Sequence, residues 1–146
     1  MYQHTFRKDK TLETSLWNIG IKAEDLDREI SFWAQFGARL LLRETLMGPD
    51  GDADYALLEF GGTRLFLTPK PLFEDRLAYP LTSGLTHAVF EVENLDREYQ
   101  RLAVLGTEVL VEPTELSAGF GSRRIALFRS PNGLIFEMMQ ILESKI

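Results

Sequence analysis

The sequence predicts an α+β fold built from two βαβββ modules, and three observations predict it. The chain nearly repeats itself: Leu26-Asp27-Arg28-Glu29 recurs 69 residues later as Leu95-Asp96-Arg97-Glu98, and the ungapped match runs from Leu16/Leu85 through Ala34/Ala103 and Gly37/Gly106 to Leu41/Leu110. Such a duplication marks two copies of one supersecondary unit that bury their apolar faces against each other. Within each copy, one stretch of helical apolar spacing lies among short runs of strand type. Turn signals separate those runs: Gly48-Pro49-Asp50-Gly51 and Gly61-Gly62 in the first copy, Ser130-Pro131-Asn132-Gly133 in the second.

Residues 1–13 are polar and read as an N-terminal extension; 14–146 read as one domain, with modules over about 14–70 and 84–142. Trp17 to Ala23 is rich in β-formers. Glu24-Asp25 then puts acid at the start of a helix carrying Leu26, Ile30, Trp33 and Phe36, and Gly37 ends it. Strands follow over Arg39 to Met47, Tyr55 to Phe60 and Thr63 to Thr68. Pro69 to Gly84 carries three prolines and reads as an irregular linker. The second copy runs strand Thr86 to Val92, helix Leu95 to Leu105, Gly106, and strands Glu108 to Glu112, Arg123 to Arg129 and Leu134 to Ile141. Ser117 to Ser122 is expected to be a mobile loop over a pocket mouth.

Composition excludes several functions. With 146 residues and 45% hydrophobic content the chain can bury a full core. A net charge of -6 without a long Lys/Arg run argues against a nucleic-acid partner. No apolar run approaches about eighteen residues, and Met1 to Lys10 has no apolar h-region, so neither a membrane span nor a secretory signal is expected. The cytoplasm is the expected location. Without cysteine there are no disulfides, thiolate zinc sites or cysteine nucleophiles. Asp50-Gly51-Asp52-Ala53-Asp54 fails the calcium-loop pattern, because Tyr55 and Gly61 stand where Gly and Glu are required. His4 falls in the extension.

Strand alternation assigns faces. In the first strand, Trp17, Ile19, Ile21 and Ala23 would pack the helix while Asn18, Gly20 and Lys22 face an open space; the repeat puts His87, Val89 and Glu91 on the matching face. A tight hairpin at Gly61-Gly62 pairs Glu59 with Arg64 and Leu57 with Phe66. A four-residue turn in the second copy pairs Phe128 with Ile135, Ala126 with Glu137 and Arg124 with Met139. The expected inner face therefore holds His87, Arg124, Phe128, Glu137 and Met139, a polar core in an apolar bowl suited to a small molecule. Glu137 lies within Leu134-Ile135-Phe136-Glu137-Met138-Met139, and a carboxylate there needs a partner, a metal or a proton. It is either a structural partner of Arg124 or His87, or a ligand or acid/base. Glu59 and Arg64 form either a cross-strand ion pair or, through Arg64, a contact to an anionic substrate.

The duplicated βαβββ unit, with Ile21-Lys22-Ala23-Glu24-Asp25-Leu26-Asp27-Arg28, Val92-Glu93-Asn94-Leu95-Asp96-Arg97 and the ending Phe128-Arg129-Ser130-Pro131-Asn132-Gly133-Leu134-Ile135-Phe136-Glu137, resembles the vicinal oxygen chelate superfamily. That group includes glyoxalase I, extradiol dioxygenases, methylmalonyl-CoA epimerase and bleomycin-binding proteins. The resemblance implies a paired, curved eight-strand mixed sheet around a central cavity and commonly a homodimer, in which Trp33 and Phe36 serve an interface or the core. It also implies a divalent metal held from the first and fourth strands of each module. By position those sites fall on Asn18, Phe66, His87 and Glu137. His87 and Glu137 match the usual ligands, Asn18 replaces His or Gln, and Phe66 replaces Glu.

Three readings follow. In one, His87, Glu137 and Asn18 hold Mn, Mg, Fe, Zn or Ni, and the metal acts as Lewis acid on a ligand with vicinal oxygens. In another, the protein binds or sequesters a small molecule without metal, as a resistance protein of the bleomycin-binding type does; Phe66, Phe128 and Met139 pack the ligand while Arg124, Glu137 and His87 orient it. In the third, His87 and Glu137 act as a metal-free acid/base pair.

Overall fold

The computed structural model describes residues 13–48 and 51–146. Apart from Glu13, the expected extension lies outside the described residues, as do Pro49 and Asp50 of the first turn. The first module comprises β1 (Thr14–Lys22), α1 (Leu26–Ala34), β2 (Arg39–Gly48), β3 (Gly51–Phe60) and β4 (Thr63–Thr68). The second comprises β5 (Gly84–Val92), α2 (Leu95–Val104), β6 (Glu108–Ala118), β7 (Gly121–Arg129) and β8 (Ile135–Ser144).

Capping explains where the two helices start and stop. The Asp25 carboxylate accepts from the Arg28 N–H at 3.0 Å, and Asn94 Oδ1 accepts from the Arg97 N–H at 3.1 Å. Gly37 (φ +93°) and Gly106 (φ +75°) take the left-handed conformation that ends each helix. There Ala38 N–H reaches Trp33 O and Thr107 N–H reaches Leu102 O. Phe36, expected in the helix, lies beyond its end and is 61% exposed.

All eight strands form one mixed sheet in the order β2-β3-β4-β1-β5-β8-β7-β6. β1 runs parallel to β4 and β5 parallel to β8, while β1 and β5 join the modules antiparallel. The sheet curls until its edge strands β2 and β6 approach, and Glu44 Oε1 on β2 accepts from the Gly119 N–H at 2.6 Å beside that seam. Each convex face packs one helix: Leu26, Ile30 and Trp33 of α1 meet Ala56, Leu58, Leu65 and Leu67, and Leu95, Tyr99 and Leu102 of α2 meet Ala126, Phe128 and Met138. The side chains of opposite parity point inward to a third cluster containing Trp17, Tyr55, Leu57, Leu127 and Met139.

One local expectation is corrected. β6 continues to Ala118 and closes on Gly121 through a two-residue tip, so Ser117 to Ser122 is a hairpin whose Phe120 is 6% exposed, not a mobile loop. Pro113 interrupts the β6–β7 register, which an edge strand tolerates. The linker is irregular, as expected, apart from a short 3₁₀ turn, Glu74–Arg76, that follows the buried Phe73. Lys22 Nζ donates to Glu74 Oε2 at 2.6 Å and to Leu81 O at 2.9 Å, tying this strap to β1.

Candidate ligand cavity

The inner faces of both modules and the strap enclose a cavity of about 100 Å³. Its wall is mostly apolar, with Trp17, Phe66, Phe73, Phe120, Leu127 and Met139 contributing; Asn18, Thr68, Arg76, Thr86, His87, Thr114, Arg123 and Glu137 are the polar exceptions. Glu137 on β8 is in register with Val89 on β5, as Phe66 on β4 is with Gly20 on β1, so Phe66 is the first-module counterpart of Glu137.

His87 and Glu137 meet at 3.4 Å between Nε2 and Oε1, both side chains largely buried. Thr86 Oγ1 lies 2.9 Å from His87 Nδ1, and the Phe73 ring packs edge-on to the imidazole at 4.9 Å. When the Thr86 hydroxyl donates to Nδ1, the imidazole proton sits on Nε2, facing Glu137. In the other tautomer Nδ1–H donates to Thr86 and Nε2 becomes an acceptor. Gly20 makes room for this ring: a Cβ there would stand 2.3 Å from His87 Cε1. Asn18, 4% exposed, lines the same cavity.

The residues present do not make a strong metal site. His87, Glu137 and Asn18 offer one imidazole, one carboxylate and one amide, and the Phe66 ring, stacked on Tyr55 at 4.9 Å, occupies the fourth position. Among the described residues no three His, Cys, Asp or Glu side chains cluster as a metal would require.

Met139 lies on the cavity wall as expected, but Arg124 and Phe128 do not. β7 pairs with β8 as Leu127↔Glu137 and Ile125↔Met139, one residue away from the expected register. The loop spans 130–134: Ser130 N–H donates to Leu134 O and Ser130 Oγ accepts from the Leu134 N–H, so Leu134 belongs to the turn. With a period of two, that one residue exchanges faces. Arg124 therefore pairs with Asp96 at 2.8 Å on the outside, and Phe128 packs under α2. Arg123, Ile125 and Leu127 take the inner positions.

Glu59 and Arg64 are opposite each other in register, yet Glu59 is exposed and pairs with Arg39 at 2.8 Å. Arg64 instead stacks over Trp17, 4.2 Å from the ring centroid, and donates to the Trp17 carbonyl. Neither residue lines the cavity. Trp17 was expected against the helix. A shift in the β1–β5 register between Leu16 and Asn18 turns it inward beside Asn18. Phe73, Phe120 and Arg123 were also missed. Their only sequence signal was apolar content in a linker and a loop, and a two-arginine run that alternation assigned to the wrong member.

Among the described residues no helix is long and apolar enough to cross a membrane. The hypothetical protein BH1468 from Bacillus halodurans C-125 is similar in structure, with 20% identity, a TM-score of 0.71, and 90% of this chain and 97% of that one covered. Methylmalonyl-CoA epimerase from Mycobacterium tuberculosis is 23% identical with a TM-score of 0.66, covering 88% of each chain. A methylmalonyl-CoA epimerase in complex with methylmalonyl-CoA and NH4+ is 25% identical with a TM-score of 0.70, covering 92% of this chain and 98% of that one. No curated protein matches in sequence. The model of the Glyoxalase/Bleomycin resistance protein/Dioxygenase superfamily matches residues 17–138 and the sheet is built from the duplicated βαβββ unit, so the chain belongs to that superfamily.

Proposed function

We propose that this protein binds a small, largely apolar molecule without a metal, and that His87 and Glu137, with Asn18, hold the oxygen-bearing head of that molecule. The observation that carries the reading is the polar pair His87–Glu137, 3.4 Å apart, in a wall otherwise dominated by aromatic and aliphatic side chains. An apolar cavity with a few convergent polar groups is the usual form of a small-molecule site. Glu137 accepts a hydrogen bond from a ligand hydroxyl, while His87 donates or accepts according to the tautomer that Thr86 stabilises. The Lewis-acid reading is not favoured, because the donor set lacks the three strong ligands such ions take in proteins.

A second reading is acid/base catalysis by the same pair, favoured by Thr86 at His87 Nδ1, which fixes which imidazole nitrogen faces Glu137. Glu137 would take a proton from bound substrate and return it as the carboxylic acid, while the His87 Nε2–H would hydrogen-bond the negative charge that develops on the substrate. The similarity to methylmalonyl-CoA epimerases at up to 25% identity is compatible with this chemistry.

The test uses p-cresol, a neutral aromatic with one hydroxyl, added to a Trp33→Phe variant in which Trp17 is the sole tryptophan. Saturable quenching in the presence of a chelator, at least tenfold weaker in Glu137→Gln, is the expected result. No saturable change in Trp17 emission would overturn the reading.

A further inference from the structure

Resting on the cavity reading above, we infer that the preferred ligand is an anion whose carboxylate, or similar monoanionic group, is received by Arg123 at the opposite end of the cavity from His87 and Glu137. Arg123 is 1% exposed and lines the cavity. Its guanidinium donates to three backbone carbonyls, Ser122 O at 3.1 Å, Glu143 O at 2.7 Å and Phe120 O at 3.0 Å, which fix its orientation without neutralising it. The Nε–H is buried and has no acceptor.

Arginine in a protein interior is normally matched by a carboxylate, because an unmatched buried charge is costly. Here no carboxylate stands within ion-pair distance of Arg123 among the described residues. Glu91 is near enough to favour its charge, but Arg64 acts against it, and burial is the larger influence, pulling the guanidinium below its usual value. Both guanidiniums lie over Trp17, Arg64 at 4.2 Å and Arg123 at 5.4 Å from the ring centroid, and Arg64 too has a buried Nε–H without a partner. Two cations lie over one ring, and among the described residues neither has an ion-pair partner, which leaves surplus positive charge at this end of the cavity. Cation–π contact softens that surplus but supplies no acceptor for the free N–H. An anionic oxygen arriving from the cavity would supply both.

The spacing defines the ligand class further. Arg123 is four residues from Leu127, the neighbour of Glu137, which places the two poles about 13 Å apart along the strands, measured at the backbone. The wall between them is apolar, with Ile125 and Met139 side by side on neighbouring strands. A short aromatic or branched body with a carboxylate at one end and a hydroxyl or carbonyl at the other satisfies both poles.

The experiment compares p-cresol, 4-hydroxyphenylacetate and 4-hydroxyphenylacetamide by Trp17 fluorescence in the Trp33→Phe background. The carboxylate is expected to bind at least tenfold more tightly than its uncharged amide, and in Arg123→Gln that preference is expected to fall to within threefold. Equal affinity of acid and amide for the parent protein overturns the inference while leaving p-cresol binding, and the cavity reading, intact. Failure of all three probes, p-cresol included, overturns the cavity reading itself. Because Arg123 also pins three carbonyls, Arg123→Lys serves as the second variant, checked by circular dichroism. It keeps the charge, and a folded Arg123→Lys should retain most of the preference. A folded Arg123→Gln with the preference undiminished removes Arg123 from the assignment.

Discussion

Replacing Gly20 with alanine is expected to dislodge His87 without breaking the fold. The added Cβ would stand 2.3 Å from His87 Cε1, 2.4 Å from Nδ1 and 2.9 Å from Thr86 Oγ1. Favourable contacts of this kind lie at about 3.5–4.0 Å, so the ring must retreat by about 1 Å or more. It cannot do so freely, because Phe73 packs against it at 4.9 Å and Glu137 lies on its Nε2 side. Overpacking of this type costs about 1–3 kcal/mol. For a domain of this size that corresponds to a fall of about 3–10 °C in Tm. The assay pairs thermal unfolding with imidazole NMR in a His4→Gln background, where His87 is the only histidine. Shifted His87 ring resonances and at least tenfold weaker p-cresol binding are expected. Gly37→Ala is the control: its Cβ meets nothing within 4 Å, but its φ of +93° imposes a backbone cost of about 1 kcal/mol, with binding unchanged. A Gly20→Ala protein with the parent Tm and parent His87 resonances would refute the packing argument.

Three further outcomes are expected. Burial opposes ionisation of Glu74, but hydrogen bonds from Lys22 Nζ and Leu81 N–H outweigh it and hold the carboxyl below its usual value of 4.5. A lowered folded-state value means the contribution is present at neutral pH and is lost as pH falls below 4.5, so the Tm deficit of Glu74→Gln should shrink over that window; a deficit independent of pH would count against the latch. Changing Phe66 to Glu and Asn18 to His fills the two weak positions facing His87 and Glu137. That double variant should bind Zn²⁺ or Ni²⁺ stoichiometrically and gain Tm on metal addition, and no gain would mean the four positions do not converge. Arg124→Ala removes only an exposed ion pair with Asp96, so stability should change by about 1 kcal/mol or less and ligand affinity not at all; a tenfold loss of affinity would restore Arg124 to the cavity.

The duplication made most of the architecture legible. Two copies with the same order of helix and strand signals, the caps at Asp25 and Asn94 and the glycines at 37 and 106 fixed the helices to within a residue or two. The Gly61-Gly62 hairpin was also readable, because a two-residue turn with both φ values positive allows one register. The site was legible where its positions follow from the repeat and from alternation along the last strand: His87, Glu137, Asn18, Phe66 and Met139 all line the cavity. What was missed rests on single-residue shifts. A bulge after Leu16 turned Trp17 inward, and Ser130 captured Leu134 into a five-residue loop, which exchanged Arg124 and Phe128 for Arg123 and Leu127. Such shifts are set by local hydrogen bonds, and alternation propagates each along a whole strand. Phe73 and Phe120 reach the cavity from a linker and a hairpin tip, where no periodicity exists to read.

Equilibrium dialysis of the purified protein against Mn²⁺, Fe²⁺, Ni²⁺ and Zn²⁺ at tens of micromolar, alongside His87→Ala/Glu137→Ala, tests the metal-independent cavity most directly. The expected result is no stoichiometric binding of any ion by either protein, with p-cresol binding by the parent unaffected by chelator. One ion bound per chain by the parent and lost in the double variant would contradict the account and make His87 and Glu137 metal ligands.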